Sequence, residues 1–345
     1  MLKLLNKYKK WLIIFSFAYI YILMILLAPT KFIVLTPGEI NTISQNYTIE
    51  DKEFTNNINS VSVYSWQTVT TFQSWLIKNN DRFDIREKTE YDNSLSRKEL
   101  NIQGNISHES SLQNAIITAY TYAMKADASI NIDYKLRGFS VYYSNNKELQ
   151  IGDQIININS KEIMNNTYQK YLEDLDLYVP DKNYFKPDKT YFVTIQRGNE
   201  LLKVINIKDT DIIRYYPKYE ILSTYPVIKT KDNTNVSGPS GGMIQTLGIY
   251  LALMEINLPN VKLAGTGTIN TNDLFEVGAI GGIVQKYYTV KKNKIDYFLV
   301  PKSNISELSG VINESDKVKV IVVETFDDVI SFISTYRSGL NAEKN

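Results

Sequence analysis

The chain has 345 residues, 43% of them hydrophobic and 22% charged, with a formal net charge of +1. That is the composition of a folded protein long enough for two modest domains, and its near-neutral balance offers no general attraction to nucleic acid. With no cysteine and a single histidine, His108, disulfides, thiol catalysis and cysteine-bound zinc are excluded, and no metal site is expected.

The first signal along the chain is Trp11 to Ala28, uncharged and almost wholly apolar between Lys10 and Lys31. At about 1.5 Å per residue, this run nearly crosses a bilayer core of about 30 Å. Lys3, Lys7, Lys9 and Lys10 precede it, so residues 1–10 read as a cytoplasmic basic stub and the rest of the chain as extracytoplasmic. A cleaved signal peptide is the competing reading. The run is long for one, however, and Leu26-Leu27-Ala28-Pro29 is a poor small-x-small cleavage site. We read residues 11–28 as an uncleaved transmembrane anchor, with no later segment long and apolar enough to span.

Ser60 to Trp66 alternates polar and apolar residues, as a half-buried strand does. Ser110 to Lys125 reads as an amphipathic helix with Leu112, Ala115, Ile116, Ala119 and Ala123 on one stripe. Short strands are expected at Phe139–Tyr143, Gln154–Ile158 and Tyr191–Gln196, with a helix near Asn166–Asp174. From Asp211 to about Ser338 helices and strands alternate. Tyr297–Val300 and Val318–Val323 read as buried strands, Asp327–Tyr336 as a closing helix and Arg337–Asn345 as a frayed polar tail.

Chemistry concentrates in Ser237-Gly238-Pro239-Ser240-Gly241-Gly242, which leads into an apolar run from Met243 to Ile256. Ser240 is thereby expected at the start of a buried helix, where unpaired N–H groups can hold a developing oxyanion. The bland alternative is a serine N-cap. A G-x-S-x-G hydrolase elbow needs an acid and then a histidine downstream, and no histidine follows Ser240. His108 lies far upstream in a polar stretch, so a nucleophilic serine would need another base, and a lysine is the obvious one.

Ile283 to Lys292, after Gly281-Gly282, is helix-like, and Ile283, Lys286, Tyr287 and Val290 share one face at i, i+3, i+4 and i+7. Lys286 therefore points inward, whereas Lys292 shares a polar face with Gln285 and Thr289. Burial and the positive end of the helix dipole both lower a lysine's proton affinity towards the range of a general base. A snorkelling lysine whose stem merely covers the core remains the alternative.

Gly238-Pro239-Ser240-Gly241-Gly242, Thr266-Gly267-Thr268-Ile269 and Gly278-Ala279-Ile280-Gly281-Gly282-Ile283-Val284-Gln285-Lys286 resemble the three signatures of the Lon-type proteolytic domain, in the family's order and at similar spacing. Tyr297-Phe298-Leu299-Val300-Pro301 resembles the strand and proline that follow there. The resemblance implies Ser240 as nucleophile, Lys286 as general base and Thr266 as a hydroxyl orienting the amine, with Gly238 and Gly241 as supporting residues. Two positions depart from it. Ser237 stands where ATP-dependent Lon proteases usually carry an acidic residue, and Thr268 where they have a glutamate. No G-x-x-x-x-G-K-[S/T] phosphate loop occurs in these residues, so an enzyme working without nucleotide or other cofactor is expected.

The middle segment resembles a PDZ domain. Leu136-Arg137-Gly138-Phe139 is placed as its carboxylate-binding loop, and Leu149-Gln150-Ile151-Gly152-Asp153-Gln154-Ile155-Ile156-Asn157-Ile158-Asn159 matches the family's most regular stretch. Leu136, Gly138 and Phe139 are thus candidate peptide-binding residues, by strand addition to a sheet edge; a packing module that only spaces the protease is the alternative. Glu109 to Ala115 and the following helix resemble the helix that precedes the nucleophile region in Lon-type domains. The expected architecture is therefore α+β. A Lon-type proteolytic domain built from residues 32–130 and 211–338 carries an inserted PDZ-like domain at 131–210. One transmembrane helix precedes it, and a tail at 339–345 follows.

The whole resembles membrane-anchored, PDZ-containing, Lon-like serine proteases of bacteria. That implies an ATP-independent, single-pass endopeptidase of the cell membrane. Its substrates would be extracytoplasmic peptides or unfolded segments, such as secreted signalling peptides or parts of membrane proteins. An anchored peptide-binding scaffold with a relic protease fold is the alternative, and a polytopic transporter accessory lacks the spans it would need.

Overall fold

A computed structural model describes residues 2–342 except Asn56, Ser160, 164–183, 186–189, Asn199, Asp209, 232–236 and 272–274. The expected helix at Asn166–Asp174 lies outside the described residues. The apolar N-terminal run forms the helix Leu2–Leu27, whose segment Lys7–Leu27 is long and apolar enough to cross a membrane and stays unburied, touching the short helix Thr71–Ile77 near its C-terminal end.

The body is organised by a six-stranded mixed sheet, in the order Lys319–Val323, Tyr297–Pro301, Leu263–Gly265, Ile58–Trp66, Phe32–Thr42, Asp84–Glu87. The first three strands come from late in the chain and the last three from early in it. They meet where Leu263, Ala264 and Gly265 pair in parallel with Ile58, Asn59 and Ser60. Alternation along each strand divides its side chains between two cores, as period two requires. Ile58, Leu263 and Leu299 face one core, and Val61, Ala264, Phe298 and Val300 face the other.

On the first face lie the long helix Arg97–Ala126 and the helix Gly242–Leu253. They bring Ala115, Ile116, Ala119 and Tyr120 against Met243, Ile244 and Leu247. On the second lies Ile283–Lys292, burying Ile283, Tyr287 and Val290. The fold is thus a helix–sheet–helix sandwich in which the chain before residue 130 packs directly on the helix that follows Ser240.

Residues 131–225 form a second, antiparallel sheet, in the order Glu200–Ile207, Tyr191–Arg197, Gln154–Ile158, Asn131–Ser144, Ile213–Tyr225, Tyr184–Phe185. Its own core includes Leu136, Phe139, Val141, Ile155, Val193, Ile205, Ile213 and Tyr215. Strands Asn131–Ser144 and Ile213–Tyr225 pair along nearly their whole length, from Asn131↔Tyr225 to Ser144↔Ile213. The chain therefore leaves the first body and returns to it at adjacent points, re-entering through Ile228–Thr230, which pairs with Tyr47–Ile49. Residues 211–225, assigned from sequence to the catalytic part, belong to this sheet because their pairing partner is residues 131–144.

Three further expectations are corrected. The amphipathic helix begins at Arg97 rather than Ser110, started by a capping box of Ser96 and Glu99. The polar residues after Arg337 do not fray at once, since the closing helix runs Phe326–Ala342. Gln285 and Thr289, expected on a solvent face, are both buried. Their side of the lysine helix covers strand Phe32–Thr42, where Thr289 Oγ1 accepts the Gly38 N–H at 3.2 Å.

Candidate active site

The turn before helix Gly242–Leu253 is held from three sides. Gly238 has φ +88°, a left-handed conformation that suits glycine, and its N–H donates to the Gly104 carbonyl at 3.2 Å. Ser111 Oγ donates to the Pro239 carbonyl at 3.1 Å. The Ser240 carbonyl accepts from Gly267 N–H at 2.8 Å and from Thr266 Oγ1 at 3.0 Å. Ser240 lies two residues before the helix rather than at its first turn. The N-cap is Gly241 and has no side-chain cap bond, so the N-cap reading of Ser240 does not hold.

Freed from capping, the Ser240 hydroxyl meets Lys286. Lys286 Nζ lies 2.8 Å from Ser240 Oγ and 2.8 Å from Thr266 Oγ1. Its helix starts after Gly282, at φ +70°, and one turn later the Lys286 side chain is only 1% exposed. The snorkelling alternative fails with that burial. Removal from water disfavours the ammonium and brings Lys286 from 10.5 down to about 7. Thr266, fully buried at the end of strand Leu263–Gly265, spends its one hydroxyl hydrogen on the Ser240 carbonyl. It can therefore only accept from the amine, and a neutral Lys286 that donates to Thr266 has a lone pair left that can turn to Ser240.

The first-turn N–H groups of Gly242 and Met243 are already taken, by Pro239 O at 3.2 Å and Gly267 O at 3.0 Å. Among the described residues, the N–H groups of Ser240 and Gly241 carry no such bond, so the free N–H groups beside Ser240 lie just before the helix rather than in its first turn. Thr268, beyond Thr266, is in the short strand pair Thr268–Ile269 with Val277–Gly278.

The candidate peptide-binding residues are elsewhere. Leu136 and Phe139 are buried in the core of the antiparallel sheet, and Gly138 is pressed against it: an added Cβ would sit 2.2 Å from Ile155 O. Phe139 is flanked on both sides, by Pro217 and by Ile155, so this stretch is interior strand rather than a carboxylate-binding loop. A cleft of about 750 Å³ does open beside it, between the long helix and this sheet, lined by Glu109, Gln113, Arg137, Lys218 and Tyr219 among others. Tyr219 is 3.0 Å from Thr271 Oγ1, next to the Thr268–Ile269 strand.

His108, on the long helix, hydrogen-bonds to the Gly238 backbone, and burial holds its imidazole below its usual proton affinity. It touches the serine turn, not the serine. Only its place three residues before Ser111 could have signalled this.

Residues 230–335 match the Lon protease (S16) C-terminal proteolytic domain. The chain is 31% identical over 98 residues to Lon protease 2 of Bacillus subtilis (strain 168), covering 28% of this chain and 17% of that protein. It is 29% identical over 121 residues to Lon protease of Borrelia duttonii (strain Ly), covering 34% and 14%. The matches thus span less than a fifth of either relative's length. Ser240, Thr266 and Lys286 all fall inside the matched domain, which supports a serine peptidase.

Proposed function

We propose that this protein is a membrane-anchored serine endopeptidase using Ser240 as nucleophile and Lys286 as general base, without nucleotide. The observation that carries the reading is the 2.8 Å approach of a buried lysine amine to the Ser240 hydroxyl. A lysine brought down to about 7 is half neutral near physiological pH, which suits it to proton transfer.

As Ser240 Oγ attacks the peptide carbonyl carbon, its proton passes to Lys286 Nζ. Negative charge on the carbonyl oxygen is met by the N–H groups of Ser240 and Gly241. The Lys286 ammonium then protonates the departing amine, the C–N bond breaks, and an acyl-serine remains. Water attacks that ester while Lys286 takes its proton, then returns it to Ser240. Thr266 holds the Lys286 nitrogen in place in both its neutral and protonated states.

No step consumes nucleotide, so substrates are chains already unfolded, or peptides. Reading the apolar run from Trp11 onward as a span, with Lys3, Lys7, Lys9 and Lys10 before it, puts the N-terminus in the cytoplasm and the body outside. Extracytoplasmic peptides, signalling peptides and membrane-protein segments are then the substrate class. The 131–225 sheet, read as a PDZ-like module, contributes the cleft beside Thr271 rather than Leu136, Gly138 and Phe139.

The test is incubation of the protein, its Ser240→Ala and its Lys286→Met variants with an unfolded model protein and no ATP. Cleavage by the parent alone supports the reading. A folded parent that neither cleaves nor labels with a serine-reactive phosphonate is instead an anchored scaffold.

A further inference from the structure

Amphipathic helices of a folded protein normally turn their apolar stripe inward. The short helix Thr71–Ile77 does the opposite: it has no buried residue, and Phe72, Trp75 and Leu76, at i, i+3 and i+4, are all exposed. Phe72 and Trp75 stack on each other with ring centroids 6.0 Å apart, a continuous apolar face with nothing over it.

This helix is fastened to the end of the N-terminal apolar helix. Thr71 N–H donates to the Ala28 carbonyl at 3.0 Å, and Thr30 N–H to Val69 O at 2.8 Å, with a bridge between Pro29 and Thr70. A capping box of Thr70 and Gln73 then fixes the direction in which the helix departs. Trp75 stands four residues on, about 6 Å along the axis. Phe72, Trp75 and Leu76 are therefore held where a span ending near Ala28 leaves the hydrocarbon.

The chain's three tryptophans follow the same geometry. Trp11 (60% exposed) opens the apolar run, while Trp66 (55%) and Trp75 (70%) lie beside its other end. Trp11 to Ala28 is about 27 Å of helix, close to a hydrocarbon core, and tryptophans favour both of its boundaries. Lys31, Lys78 and Arg82 are exposed around the same end, with Asp81 among them.

We infer that Phe72, Trp75 and Leu76 form a second membrane contact, lying in the lipid interface at the exit of the span, so that the body is held against the bilayer at two points. The inference rests on reading Lys7–Leu27 as a span. Lipid is the occupant because the face is continuous with the span's end and carries interfacial residue types.

The test uses the full chain in phosphatidylcholine–phosphatidylglycerol vesicles, with one variant keeping only Trp75 (Trp11→Phe, Trp66→Phe) and one keeping only Trp11 (Trp66→Phe, Trp75→Phe). Fluorescence is quenched either by aqueous iodide or by lipids spin-labelled shallow or deep in the acyl chain. The expected result is that both tryptophans are quenched more by the shallow label than by the deep one, with Trp75 screened from iodide. Quenching of Trp11 by lipid but of Trp75 only by iodide overturns the second contact and leaves the span intact. A Trp75 reached by neither quencher is covered by protein, which also overturns it. If no lipid label reaches either tryptophan, the span itself fails and the contact with it.

Discussion

Replacing Lys286 with methionine should abolish activity and make the protein more stable. The unfolded chain binds the lysine proton at 10.5 and the folded one at about 7. Between those values the unfolded state holds more protons, so stability rises with pH across that window. At about 1.4 kcal/mol per decade, the preference amounts to about 4 kcal/mol against folding at pH 7 and about 2 kcal/mol at pH 9. Methionine keeps the apolar volume and removes this term. It also deprives Ser240 Oγ and Thr266 Oγ1 of their amine partner, a loss of about 1 kcal/mol each. The variant should therefore exceed the parent by about 2 kcal/mol at pH 7, and the gap should close by pH 9. Urea unfolding of both proteins in detergent at a series of pH values reads this directly. Parallel stability curves would show that Lys286 keeps its proton in the folded state, and the neutral-base argument would collapse.

Other outcomes follow from the same geometry. The rate kcat/KM should climb with pH through about 7, as Lys286 loses its proton, and a flat profile from pH 5 to 9 would count against it as the base. Thr266→Val should lower kcat about 10- to 100-fold by unaiming the amine, while Thr266→Ser restores most of it; equal loss in both variants would point to packing instead. Gly104→Ala should add about 1 kcal/mol of helix propensity. Yet its Cβ would meet Ser237 Cβ at 3.0 Å, so peptide hydrolysis should drop without loss of thermal stability. Gly138→Ala, at φ +153° against Ile155 O, should destabilise the antiparallel sheet by about 2 kcal/mol or more. Ser240 should still label with phosphonate, because its turn is held by the other body; loss of labelling would show that the two bodies fold as one.

The lysine was legible because Ile283, Lys286, Tyr287 and Val290 repeat at helical spacing, and one buried stripe is what periodicity reports. It cannot report a second buried face, which is how Gln285 and Thr289 were misplaced: a helix lying on a sheet under further chain hides both sides. The first half of the long helix escaped notice for a related reason. Gln103 and Ser107 are buried there, polar residues beside the serine turn that form no apolar stripe. His108 was invisible as a site residue because its partner is backbone, 130 positions away. A local likeness makes Leu136 and Phe139 resemble a loop, whereas pairing with residues 213–225, which no local pattern encodes, makes them strand. The paired strands and the turn–helix junction at Ser240, by contrast, follow from composition within a few residues.

The interleaving of early and late strands carries a consequence for the timing of synthesis. Ser240 emerges from the ribosome well before Lys286, and the sheet supporting both is completed only by Lys319–Val323. The lysine's dry surroundings also need strand Phe32–Thr42, whose Gly38 is joined to Thr289 across 251 positions. A growing or translocating chain therefore has no sensitised serine, whatever its length up to that point. Under the mechanism proposed above, the pairing of Ser240 with a dry Lys286 arises only after strand Lys319–Val323 has been made, so a shorter nascent chain would lack it.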